Sequence, residues 1–74
     1  MVRMTKEYID FLKERYPVGT RVVVEFMGDV RPVEPGTRGT VRIVDDMGTV
    51  HVDWDNGRRL GLIPGEDVFY ECID

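Results

Sequence analysis

The 74-residue chain has no serine, no alanine and no glutamine, and only one histidine, one cysteine and one tryptophan. Without serine, the commonest hydrolase nucleophile is excluded outright. The single cysteine, Cys72, cannot close an internal disulfide, which suits a reducing compartment and leads us to expect a cytoplasmic protein. No apolar run approaches the roughly 20 residues that span a bilayer, and residues 1–16 are charged throughout, so neither a membrane span nor a signal peptide is expected. Cys-rich, His-x-x-His and calcium-loop spacings are all missing, so no metal or cofactor is expected. A thiolate pair of His51 with Cys72 lacks a third group to orient the imidazole, and Cys72 reads instead as a buried structural thiol.

Valine is abundant where alanine is absent, which favours strands over helices in a single domain over 1–74. One segment resists that reading. From Thr5 to Tyr16, Thr5 can cap a first turn, Glu7 lies near the positive end of the helix dipole, and Pro17 ends the run. Tyr8, Ile9, Leu12 and Tyr16 then share one stripe with Phe11 at its edge, opposite Lys6, Glu7, Asp10, Lys13 and Glu14. Such a stripe either docks on the β domain, with the outward-facing Val23 and Val44 as its seat, or supports a weak homodimer of an otherwise monomeric protein.

From Gly19 onward the apolar period becomes two. The predicted strands are Arg21–Met27 with Val22, Val24 and Phe26 inward, Thr40–Val44 with Val41 and Ile43 inward, Thr49–Trp54, Arg58–Ile63 and Val68–Cys72. A long irregular loop, Gly28 to Gly36, follows the first strand, and Pro64-Gly65-Glu66-Asp67 turns before the last. Parity fixes one register. A two-residue Asn56-Gly57 turn would pair Trp54 with Arg59 and put Leu60 on the side of Asp53, whereas a three-residue loop with Gly57 left-handed pairs Val52 with Leu60 and Val50 with Leu62. The same argument for the hairpin at Asp45–Gly48 predicts Ile43 opposite Val50, Val41 opposite Val52 and Arg42 opposite His51. Thr40, Arg42, His51, Asp53 and Arg59 then form an outward polar band. Five short strands in this layout, preceded by one short N-terminal helix, predict a mainly β protein built as a small five-stranded SH3-like barrel. An oligonucleotide-binding barrel needs a helix that the gap between Trp54 and Arg58 cannot hold.

The segments Tyr16-Pro-Val-Gly-Thr-Arg-Val, Pro35-Gly-Thr-Arg-Gly-Thr-Val, Gly48-Thr-Val-His-Val-Asp-Trp-Asp-Asn-Gly and Leu60-Gly-Leu-Ile-Pro-Gly-Glu-Asp resemble the bacterial, archaeal and phage family of domain of unknown function 4314. The resemblance implies an SH3-like barrel often carried on mobile elements, and it implies no catalytic residues. The loop Gly28-Asp-Val-Arg-Pro-Val-Glu and the end Tyr70-Glu-Cys-Ile-Asp depart from the family pattern.

Neighbouring carboxylates at Asp45-Asp46 and Glu66-Asp67 read as solvated turn residues rather than a positioned acid and base. A non-catalytic module binding a protein or peptide is therefore expected. Its candidate contacts are Asp29, Arg31, Glu34, Arg38, Glu66 and Asp67, in the loop from Gly28 to Arg38 and the turn at Pro64–Asp67. The alternative is an accessory nucleic-acid binder of a mobile element using Arg38, Arg42, Arg58 and Arg59. Charge disfavours it: residues 17–74 hold six arginines against eleven carboxylates, a net of −5.

Overall fold

A computed structural model describes residues 5–73. One helix, α1 (Lys6–Arg15), precedes five strands: β1 (Arg21–Phe26), β2 (Arg38–Val44), β3 (Val50–Trp54), β4 (Arg59–Leu62) and β5 (Val68–Glu71). The expected cap is in place, with Thr5 Oγ1 accepting the Tyr8 N–H at 3.1 Å. All five strands lie in one antiparallel sheet of order β4-β3-β2-β1-β5, so β1 is paired on one side with β2 and on the other with the last strand. Among the described residues no helix is long and apolar enough to cross a membrane.

The β3–β4 hairpin has the odd register that parity requires: Val52 faces Leu60, Val50 faces Leu62 and Asp53 faces Arg59. Gly57, at φ +91°, supplies the left-handed residue of its turn, and the Trp54 indole closes the hairpin by donating to the Leu60 carbonyl at 3.0 Å.

Simple alternation fails at two places, each a β-bulge. In β1 the register against β5 shifts between Val24 and Phe26, so Glu25 is an extra residue and Phe26 turns outward. Phe26 is 55 % exposed, and Met27, at 5 %, takes the inward place expected of it. In β2 the shift against β3 falls between Val41 and Ile43, making Arg42 the extra residue. Ile43 is consequently 50 % exposed while Val44, expected outward, is 4 % exposed. The bulge also changes the hairpin pairing: Val41 faces Val52 as expected, but His51 faces Ile43 rather than Arg42, and Val50 faces Val44 rather than Ile43.

The core gathers Val22, Val24, Val41, Val44, Val50, Val52, Trp54 and Leu62 from the strands, Met27 and Val33 from the loop after β1, and Leu12 from the helix. Leu12 is thus the helix residue that completes the core, with Tyr8 and Tyr16 packed beside it and Phe11 exposed. The helix rests on β2, with Tyr16 set against Phe69 of β5 at a ring-centroid distance of 5.3 Å. Its seat is therefore not an outward Val44, because the bulge has already turned that side chain into the core. Ion pairs from Lys13 to Asp46 (2.8 Å) and Arg15 to Glu71 (2.6 Å) fasten the helix at its flanks.

Candidate functional site: a braced loop beside the last strand

The connection between β1 and β2 is held along its length. Val33 is buried in the core, and the ends of the loop are joined by Gly36 N–H to Val24 O (2.7 Å) and Val24 N–H to Thr37 O (3.0 Å). Arg58 reaches over from the β3–β4 turn and donates to the carbonyls of Arg31 (2.8 Å) and Pro32 (3.0 Å). At the other end, Asp67 Oδ1 accepts the Gly28 N–H at 2.8 Å while its Oδ2 accepts the Ile63 N–H at 2.7 Å. One carboxylate thereby ties the loop to the turn before β5. An irregular segment held like this presents its outer side chains on a rigid support, with little ordering entropy left to lose on binding.

Of the six residues expected to contact a partner, Asp29, Arg31, Glu34 and Glu66 are exposed along this loop and turn. Asp29 also shapes the loop, its Oδ1 accepting the Arg31 N–H at 3.0 Å. Arg38 is exposed at the start of β2. Asp67 is half-buried and has both oxygens engaged by backbone, so its role is to brace the surface.

The residues that charge-based reasoning missed are apolar. Phe26 and Val68 face each other across β1 and β5, both exposed, with exposed Tyr70 two residues along β5 on the same face. The edge of the Phe26 ring lies beside Gly28, and Ile63 is also exposed. The extra residue of the bulge, Glu25, accepts a hydrogen bond from the Tyr70 hydroxyl and pushes its pKa up. No periodicity marks this patch, because the bulge that creates it leaves no signature in composition.

Three of the four arginines expected to form a phosphate-binding patch are engaged within the fold. Arg42 and Arg59 both turn onto Asp53, their Nε atoms 3.5 and 3.2 Å from its Oδ1. That oxygen is sealed from solvent and makes no directed hydrogen bond, so the two guanidiniums supply its compensating charge. Arg58 is the loop brace described above. On the same sheet face Arg21 binds Asp55 through two bonds of 2.8 and 2.6 Å and Thr40 through one of 2.9 Å, holding the Asp55 carboxyl below its usual pKa.

His51 does have an orienting group. Its Nε2 lies 2.7 Å from Asp45 Oδ2, while Asp45 Oδ1 accepts the N–H groups of Met47 and Thr49, each at 2.9 Å. Asp45 is therefore the organiser of the β2–β3 turn rather than a solvated turn residue. Burial alone would raise its pKa, but the hydrogen bonds from His51, Thr49 and Met47 outweigh that and bring it below the ordinary carboxylate value. Cys72 follows β5, which is separated from β3 and His51 by β1 and β2, and it is half-buried rather than fully enclosed.

Comparison with curated proteins and with solved structures finds no match. Residues 5–72 match the family described as a domain of unknown function (DUF4314), and the chain belongs to that family.

Proposed function

We propose that this protein is a non-catalytic interaction module that captures a protein or peptide partner on the surface formed by the loop after β1 and the turn before β5. The observation that carries this reading is the Asp67 tie, which joins loop and turn into one braced surface beside the exposed Phe26, Val68 and Tyr70. Apolar side chains held out of the core on a rigid support are what a partner buries on docking. The alternative nucleic-acid reading has less support, since Arg42, Arg58 and Arg59 are held by Asp53 and by backbone carbonyls. The cytoplasm is the proposed setting, in keeping with the single cysteine.

The test is a scan of Phe26, Asp29, Arg31, Glu34 and Glu66 by alanine, reading partner capture from the native cell alongside thermal stability. Loss of capture at constant stability supports the proposal; undiminished capture across the scan overturns it. Titrating salt against added DNA and RNA separates the alternative, because phosphate binding must weaken steeply as salt rises.

A further inference from the structure

Building on that reading, we infer that β5 is a docking edge to which an extended, cationic segment of the partner adds as a further strand. β5 is the last strand of the sheet, and no described strand pairs with its other side. The Cys72 N–H bonds to the Arg21 carbonyl at 2.8 Å, so by the alternation of an antiparallel ladder Tyr70 also points its backbone groups at β1. The N–H and C=O groups of Phe69 and Glu71 then point away from β1, along the open edge.

Natural sheets guard such an edge with lysine, proline or an inward charge. The sequence of β5, Val68-Phe69-Tyr70-Glu71, has neither lysine nor proline, and its one charge, Glu71, set on the core-facing side opposite Val22, is neutralised by Arg15. The opposite edge, β4, bears Arg59 and an interior glycine, Gly61, both unfavourable to strand addition. Strand addition at β5 would lay alternate side chains of the guest along the outward face where Val68, Tyr70 and Phe26 are exposed.

Charge selects the guest. Residues 60–73 contain Glu66, Asp67 and Glu71 and not one lysine, arginine or histidine, and residues 22–30 contain Glu25 and Asp29 and likewise no cation. With Glu71 paired to Arg15 and Asp67 to backbone N–H groups, Glu25, Asp29 and Glu66 are the exposed carboxylates that a guest meets. Both stretches border this face, so an incoming strand meets carboxylates, and lysines or arginines alternating with apolar residues complement them.

Selection of the intact protein against a displayed library of random peptides tests this, followed by titration and amide hydrogen exchange with the synthesised winners. Expected winners alternate lysine or arginine with apolar residues. They slow exchange at the Phe69 and Glu71 amides, and they lose about tenfold or more in affinity in the Glu25→Lys, Glu66→Lys double variant, both sites being exposed. Winners that are neutral or acidic, or that protect amides of residues 28–38 while leaving Phe69 and Glu71 unchanged, overturn this inference and leave the interaction module standing. A selection that yields no peptide sensitive to Phe26→Ala overturns both.

Discussion

Gly39 and Trp54 face each other across β2 and β3 so closely that a Cβ on Gly39 would sit 2.8 Å from the indole Cε3. It would also strike Val52 Cγ1 and come within 3.0 Å of the Asp53 carbonyl. The backbone of Gly39 is not in the left-handed region, so the demand for glycine here is one of space alone. Gly39→Ala is expected to cost about 1–3 kcal/mol, the usual penalty for overpacking a filled core. Chemical denaturation checks this, with a lowered midpoint at unchanged slope as the expected outcome.

The bulge in β1 inverts the expected ranking of two neighbours. Phe26→Ala, at an exposed site, should change stability by no more than about 1 kcal/mol, whereas Met27→Ala removes a buried side chain and should cost about 2–5 kcal/mol. Comparing the two variants by thermal unfolding reads the bulge directly. Equal losses would mean that Phe26 is packed inward.

Asp67→Ala removes the acceptor for both Gly28 and Ile63. A loss of about 1–3 kcal/mol is expected, together with faster hydrogen exchange at those two amides. Arg58→Ala should free the middle of the same loop, whose Arg31 and Pro32 carbonyls accept hydrogen bonds from that guanidinium, and lower the protection of residues 31–37 with little change in β3.

Acid should weaken the fold partly through Asp45. Its pKa is lowered in the folded state, so its contribution is fully present above the unfolded value of about 3.9 and fades as pH falls through the lower folded value. Asp45→Asn keeps an acceptor for Met47 and Thr49 but loses the charge beside His51. The variant's melting temperature should therefore vary less than the parent's below about pH 4. Parallel acid limbs for the two proteins would exclude this role.

How legible these features were depends on what each leaves in the sequence. The β3–β4 hairpin could be read because Asn56-Gly57 announces a turn and only one parity keeps Val50, Val52, Leu60 and Leu62 on one face. Glu25 and Arg42, the extra residues of the two bulges, resemble any other strand residue, so simple alternation puts Phe26, Ile43 and Val44 on the wrong sides and sets Arg42 against His51. The Asp45–His51 contact was hidden for the same reason, since the turn it closes has its length set by the bulge. Asp67 and Arg58 were visible as charges near the right loops. Their occupation by backbone groups of distant residues depends on tertiary proximity, which no local pattern encodes.

The pairing of Val22 with Glu71 places the opening strand beside the closing one. During synthesis, β2, β3 and β4 can zip as successive hairpins while β1 waits with one flank bare, because its second neighbour is the last strand to be made. Any truncation upstream of Val68 would leave a sticky, half-clad ribbon in place of a finished protein.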